Sequence, residues 1–405
     1  MRAQTVLKST VLAAALAAPG AVTAQVIEED TFFTTALEAF FSKDDALAPA
    51  VRIVQEYDDN IGLESDDLRE GSWKSLVIPT LALDFPGRQT SCFVEYTPAF
   101  IYYYTGADRL DVDQDAAVKF SHFFTPRYWV HLNDIFLRKE TPQDIRRPVV
   151  PQERNADYNF NLVEARFGNQ LTKQITWGLE YDNEWFYYDT SIMRRFFNRV
   201  SNVGEATFRY ELNPSLRLSG SYSLRFSDYE DDASDYYSHL LRIGVNYRLA
   251  KRLTLQVWGG YQARDYDSGQ NLTGPYAEFD CEAMVSSELY LEAGYWHKIE
   301  DTYEITHRGV WEHGVKGTVH YRLLPKVKLT ATYLGIFSYY PSSLDVAGEA
   351  VSADETFWKL EAEAAFEILA DIVIKPGYRH TENSSDFPDA SYFRNQTYLE
   401  FAVTF

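Results

Sequence analysis

The sequence predicts an all-β protein: a transmembrane, antiparallel, up-and-down β-barrel of about eighteen strands, with sixteen to eighteen compatible with the spacing. Three observations predict it. Apolar and polar residues alternate with period two through segments of about ten residues, the length of a tilted membrane strand. The connections alternate between short turns and long polar loops, as the two rims of an outer-membrane barrel require. The chain ends on a phenylalanine, and Leu399, Phe401, Val403 and Phe405 alternate up to it.

The N-terminus reads as a processing segment. Arg2 and Lys8 flank the start of an apolar run over 11–17, and Val22-Thr23-Ala24 supplies small residues for a peptidase. The run is too short to span a bilayer, so residues 1–24 are expected to be a signal peptide cleaved after Ala24. Residues 25–50 form a leader. Within it 31–41 is apolar, and Thr34, Ala36, Leu37 and Phe40 form an uneven apolar face of a short helix. A periplasmic cap, a lumen plug and a plain lead into the first strand all fit. The barrel is expected over 51–405.

From 51 onward, strands are expected near 51–60, 73–84, 91–104, 115–125, 128–139, 157–168, 173–187, 199–212 and 215–228. The remainder are near 238–249, 252–265, 273–286, 288–299, 309–323, 326–340, 355–368, 371–382 and 391–405. The alternation is clear in the middle of the chain. Leu216, Leu218, Tyr222, Leu224 and Phe226 interleave with Arg217, Ser219, Ser221, Ser223 and Arg225. Leu241, Ile243, Val245 and Tyr247 interleave with Arg242, Asn246 and Arg248. Leu253, Leu255 and Val257 interleave with Thr254 and Gln256, and Val327, Leu329 and Ala331 with Lys328 and Thr330. Successive side chains of a strand point to opposite faces, so each segment has one lipid-compatible side.

Short turns fall at Pro86-Gly87, Thr125-Pro126, Asn213-Pro214, Ala250-Lys251, Leu324-Pro325 and Ala370-Asp371. Longer acidic or polar loops fall at 58–71, 106–114, 139–156, 229–238 and 341–355. With an even strand number both termini lie on the short-turn, periplasmic side. Tyr102-Tyr103-Tyr104, Trp185-Phe186-Tyr187-Tyr188, Phe196-Phe197 and Tyr339-Tyr340 then sit at outer strand ends. Phe123-Phe124 and Tyr128-Trp129 flank an inner turn, which gives two aromatic girdles.

Composition excludes other classes. Lys and Arg number 38 against 59 Asp and Glu, a net charge of −21, which argues against nucleic acid and against loose attachment to anionic lipid. No stretch of about 20 residues is apolar enough for a membrane helix, so membrane residence requires a closed barrel. Cys92 and Cys281 fall on outward positions of distant strands and read as two unlinked residues.

The first strand carries Val54-Gln55-Glu56-Tyr57-Asp58-Asp59-Asn60-Ile61. This run, opening a barrel of this length, resembles the β-barrel porin 2 family over about 51–405. The resemblance implies an outer-membrane barrel and, from some members, an association with exopolysaccharide export. It brings no catalytic residues. The alternating C-terminus, Leu399, Phe401, Val403 and Phe405, resembles the signal that the outer-membrane barrel assembly machinery reads by strand addition.

The inward face is expected to line a pore. Its basic members are Arg209, Arg217, Arg225, Arg242 and Arg248, and its acidic members Glu180, Asp182, Glu278, Asp280, Glu282, Glu361 and Glu363. Opposed basic and acidic walls would put a transverse field across the channel. Equally, the charges could satisfy one another across strands. Acidic residues Glu64, Asp66, Asp67, Asp108, Asp111, Asp113, Glu230, Asp231, Asp232 and Asp235 are placed in solvated outer loops. The eight histidines, His122, His131, His239, His297, His307, His313, His320 and His380, show no metal-ligand spacing and no nearby nucleophile elbow. No cofactor, metal or enzymatic activity is expected. The expected partners are outer-membrane lipid and lipopolysaccharide, the barrel assembly machinery, and polysaccharide or small polar solutes, with no nucleic acid. The functional reading is an outer-membrane channel for polar solutes or a glycan chain; the alternatives are a non-conducting structural or surface-binding barrel and a barrel enzyme.

Overall fold

The computed structural model describes residues 47–62, 70–104, 110–139, 157–189, 197–230, 235–249, 252–267, 269, 271–301, 309–344, 350–386 and 390–405. The segment 1–24 expected to be a signal peptide, the expected leader up to residue 46, Phe196, His307, the Ala250-Lys251 turn, and the loop acids Glu64, Asp66, Asp67, Asp108, Asp231 and Asp232 lie outside the described residues.

Eighteen strands follow in chain order. They are β1 (Leu47–Asp58), β2 (Ser72–Phe85), β3 (Thr90–Tyr103), β4 (Leu110–Thr125), β5 (Tyr128–Lys139) and β6 (Tyr158–Gln170). Next come β7 (Ile175–Tyr188), β8 (Arg199–Asn213), β9 (Leu216–Tyr229), β10 (Tyr236–Leu249), β11 (Leu253–Tyr266) and β12 (Asn271–Met284). The last are β13 (Leu289–Glu300), β14 (Val310–Leu324), β15 (Val327–Leu344), β16 (Ala350–Leu369), β17 (Ile372–Ser385) and β18 (Tyr392–Thr404). Each pairs antiparallel with its chain neighbours, and β1 pairs with β18 from Ala50↔Thr404 to Asp58↔Gln396, closing the sheet. Closure removes the unpaired edge that lipid would not tolerate. Among the described residues no helix is long and apolar enough to cross a membrane.

The faces follow the sequence alternation. On β10 Tyr236, Ser238, Leu240 and Arg242 are buried while Tyr237, Leu241, Ile243, Val245 and Tyr247 stand exposed. Ile243 is 71% exposed, which only a lipid environment makes favourable for so large an apolar side chain. The outward residues Phe100, Leu132, Leu179, Phe208, Leu218, Val257, Leu360 and Leu399 continue this belt around the barrel.

Some boundaries differ from the sequence reading. β1 opens at Leu47, and β4 opens at Leu110 rather than near 115. The earlier start carries Asp111 and Asp113 out of the expected loop onto the inward face, where both are buried. The period of two already runs through Leu110, Asp111, Val112 and Asp113, so the strand continues. The aromatic clusters are also divided by strand parity. Tyr102, Tyr104, Trp185 and Tyr339 are exposed on the outside, whereas Tyr103, Phe186, Tyr188 and Tyr340 are buried. Only alternate members therefore join the girdle. The inward ones pack together: Tyr188 lies 5.0 Å from Phe186 and 6.2 Å from Phe197, and Tyr229, Tyr236, Tyr266, Leu272 and Ile299 form a second cluster.

Several strand glycines lie under aromatic rings that a Cβ would strike, and Gly377 is one of them. Gly377 on β17 faces Tyr398 on β18, and a Cβ at 377 would fall 2.1 Å from the ring. The ring lies over the bare backbone and delivers its hydroxyl to Glu361 at 3.1 Å and Glu363 at 3.4 Å.

Candidate functional site: the inward face

All twelve charged residues predicted to line the interior stand on inward positions of their strands. Arg209 is on β8, Arg217 and Arg225 on β9, and Arg242 and Arg248 on β10. Glu180 and Asp182 are on β7, Glu278, Asp280 and Glu282 on β12, and Glu361 and Glu363 on β16. The same parity identifies inward residues that the sequence reading passed over: Glu164 and Arg166 on β6, Arg199 and Glu205 on β8, and Arg264 on β11.

Four of the arginines form a basic column toward the outer end. Arg225 on β9 and Arg264 on β11 both flank Ser238 on β10, and Arg242 and Arg199 continue the column below and beside them. Each that is paired has a specific carboxylate. Arg242 Nη2 donates to Glu205 Oε1 at 3.0 Å and Oε2 at 3.1 Å, its Nε donates to Ser221 Oγ at 2.8 Å, and Nη1 donates to the Tyr276 hydroxyl at 3.3 Å. Arg199 Nη2 donates to Glu184 Oε1 at 2.9 Å. Aromatic faces support the guanidiniums: Arg264 sits 4.2 Å from the Tyr236 ring centre, Arg242 4.9 Å from Trp258, and Arg199 5.1 Å from Phe186. Arginine suits such a wall because it stays charged, forks to carboxylates and stacks on rings.

The column reaches beyond the strands through Asp301, just past the end of β13. Its carboxylate accepts from Arg264 Nη1 and from the Tyr236 hydroxyl, the latter at 2.7 Å. Burial opposes charge on Asp301, but the guanidiniums of Arg264, Arg199 and Arg225 outweigh it and hold its carboxyl well below the usual carboxylate range.

Elsewhere bases are held by acids one or two strands away rather than facing them from an opposite wall, although acids also stand directly opposite acids at Glu180↔Glu205 and Glu282↔Glu292. Arg217 Nη2 meets Glu211 at 2.9 Å, Lys316 Nζ meets Asp280 at 3.6 Å, and Arg379 Nη2 meets Glu361 at 3.1 Å. Arg242 lies between Glu205 on one side and Glu278 at 3.8 Å on the other. Cross-strand neighbours are what a periodic sequence brings together, so mutual pairing is the local outcome.

The histidines are dispersed except for His297 and His313, cross-strand partners on β13 and β14 whose rings stack with centres 4.2 Å apart. His122, His239, His313 and His380 face outward and share hydrogen bonds with Thr90 at 2.7 Å, Tyr222 at 2.7 Å, Tyr295 at 3.1 Å and Asn395 at 2.7 Å. His131 and His320 face inward beside Ser121 and Thr330, at 2.7 and 3.3 Å. Cys92 and Cys281 are unlinked, on outward positions of β3 and β12.

The family described as Putative beta-barrel porin 2 matches residues 240–405. No curated protein matches the chain. Among solved structures, OccK2 (OpdF) of Pseudomonas aeruginosa in complex with glucuronate is 11% identical, with 89% of this chain and 98% of that one covered and a TM-score of 0.48. OccAB4 of Acinetobacter baumannii is 12% identical over 89% of this chain and 99% of that one, with a TM-score of 0.47. The outer membrane protein opdK of Pseudomonas aeruginosa is 10% identical over 89% and 98%, with a TM-score of 0.45.

Proposed function

We propose that this outer-membrane barrel, whose residues 240–405 match a porin family, is a passive channel for polar solutes or a glycan chain. The observation that carries the reading is the inward face of a closed ring of eighteen strands, charged along its length, from Arg248, Glu282 and Glu363 to Arg264 and Asp301. Barrels of sixteen to eighteen strands are wide enough to leave an aqueous channel. Fixed charges at such a wall select by field rather than by chemistry. The fold and the family match support a channel rather than an enzyme.

The same reading assigns the surroundings. The apolar belt meets outer-membrane lipid, with lipopolysaccharide at the outer girdle. Leu399 and Phe401, exposed on the outward face of β18, and Phe405, exposed just past its end, present the strand to the barrel assembly machinery, with Val403 alternating between them. Residues 1–24 direct export and are removed, and N-terminal sequencing of the mature chain tests that step.

The deciding experiment is planar-bilayer conductance of the refolded mature protein, with ion selectivity taken from the reversal potential. A steady open channel is expected, and Arg242→Ala is expected to shift its selectivity toward cations. Silence from protein shown to be folded and inserted would overturn the open-channel reading and favour a structural or surface-binding barrel.

A further inference from the structure

Three carboxylates meet on the inward face of β6 and β7 around a single contacting guanidinium, that of Arg166. Glu164 and Asp182 are direct cross-strand partners, and Arg166 and Glu180 are the adjoining pair. One oxygen from each of Glu164, Glu180 and Asp182 lies within 4.8 Å of the others. Arg166 Nη2 reaches Glu164 at 2.9 Å and Glu180 at 3.0 Å, and so neutralises one charge of the three. Glu205, the next acid along, is already held by Arg242.

Asp182 makes the group more than an acidic cluster. Its residue is 5% exposed, and its Oδ1 is buried with no hydrogen-bond partner. Directly opposed like charges destabilise a sheet, and a buried carboxylate without a partner is costly. On the other flank the Asn133 amide donates to Glu164 Oε2 at 2.6 Å, which fixes that carboxylate beside Asp182.

We propose that Glu164, Glu180 and Asp182 hold one hard divalent cation of the calcium type in the barrel wall. Calcium takes oxygen ligands at about 2.3–2.6 Å, so two oxygens on one ion lie no more than about 5 Å apart, a limit this trio satisfies. Arg166 balances one of the three charges at contact distance, Arg225 and Arg209 act on Asp182 and Glu180 from farther along the wall, and an ion between the carboxylates supplies the positive charge that the contacts lack. No nitrogen or sulfur ligand stands in the trio, and an irregular oxygen set suits calcium better than the strict octahedron of magnesium. Sequence spacing cannot show the site, because its ligands come from two strands and meet only through the sheet register. The inference is independent of conduction, since it concerns the wall and not the flow through it.

The test is calorimetric titration of calcium into the chelator-treated, refolded full chain in detergent micelles, with thermal melts alongside. Wild type is expected to bind one ion more tightly than any other and to melt at higher temperature when loaded. Asp182→Asn and Glu164→Gln are each expected to weaken that event about 30-fold or more and to abolish the melting shift. Weak sites in acidic loops are common to all three proteins and cancel in the comparison. Equal binding by wild type and both variants would overturn the proposal, as would a trio stabilised by mild acid alone with calcium having no effect. Should the variants fail to refold, wild-type crystals soaked in manganese decide it: an anomalous peak among the three carboxylates supports the site, and none overturns it.

Discussion

Asp58 on β1 accepts hydrogen bonds from Arg394 Nε on β18 through both carboxylate oxygens, each at 3.0 Å, across the seam that closes the barrel. Asp58 is 0% exposed. Lys74 Nζ joins from β2, 2.7 Å from Glu56 and 3.4 Å from Asp58, and Gln396 donates to Glu56 at 2.7 Å. The next residues of the run grip the same strand. Asp59 takes the Asn395 backbone N–H at 2.6 Å and its amide at 2.8 Å, and Asn60 donates to the Phe393 carbonyl at 2.8 Å. Asp58, Asp59 and Asn60 of the Tyr-Asp-Asp-Asn run are therefore a latch between the first strand and the last.

Removing one partner from a buried, hydrogen-bonded ion pair leaves an uncompensated charge, at about 3–5 kcal/mol. Arg394→Ala is expected to fall at the low end of that range, because Lys74 remains beside Asp58. The double variant Asp58→Ala, Arg394→Ala should lose less than the two single losses combined, since the pair is coupled. Urea unfolding in micelles, followed by tryptophan fluorescence, measures both. A single variant as stable as wild type would remove the latch from the account.

Asp301 gives a pH prediction with a definite sign. Its folded carboxyl titrates below its unfolded value, so its contribution is present above the unfolded value of about 3.9 and is lost as pH falls through the folded one. The stability difference between wild type and Asp301→Asn should therefore stay constant from neutral pH down to about 5 and shrink only in stronger acid. A difference that disappears near neutral pH would mean that Arg264 and Tyr236 do not hold the carboxylate as described.

Strand number, closure and facing were legible because period two is a local property of the chain. Ile243 and Arg242 are adjacent in sequence and on opposite faces of the wall, and nothing distant is needed to say so. Partners were not legible. Arg264 meets Asp301 and Arg242 meets Glu205 across intervals of 37 residues in each case, set by strand lengths that the sequence gives only to within a few residues. An error of that size at β4 put Asp111 and Asp113 in a loop. The Tyr-Asp-Asp-Asn run was visible as a mark of resemblance, but the latching role of Asp58, Asp59 and Asn60 needs the register of β1 against β18. The carboxylate trio was half visible, as Glu180 and Asp182, and incomplete without Glu164 beside them.

The division of faces makes a paired prediction. Ile243→Arg puts a charge into the lipid belt and is expected to cost about 2–4 kcal/mol if near mid-bilayer. Ser223→Arg puts the same side chain on the inward face, directly across from Glu205, and is expected to cost less than about 1 kcal/mol. Unfolding free energies in lipid vesicles compare them. Equal costs, or a larger cost at 223, would mean that inside and outside have been assigned the wrong way round.

The C-terminal residue separates assembly from stability. Phe405 is 76% exposed on the outward side, and its backbone N–H donates to the Pro49 carbonyl at 3.0 Å. That bond is made by the main chain and survives a change of side chain. An exposed ring contributes little to folding in micelles, where surrounding detergent covers it in the folded and unfolded states alike. Recognition by strand addition, in contrast, reads alternate side chains along the strand end. Phe405→Ala is therefore expected to leave unfolding in micelles within about 0.5 kcal/mol of wild type. It should nevertheless lower the amount of heat-modifiable, folded barrel recovered from the membranes of expressing cells several-fold. Equal recovery of wild type and variant would show that the terminal ring is not read during assembly. A large loss of stability in micelles would instead make it a structural residue of the seam.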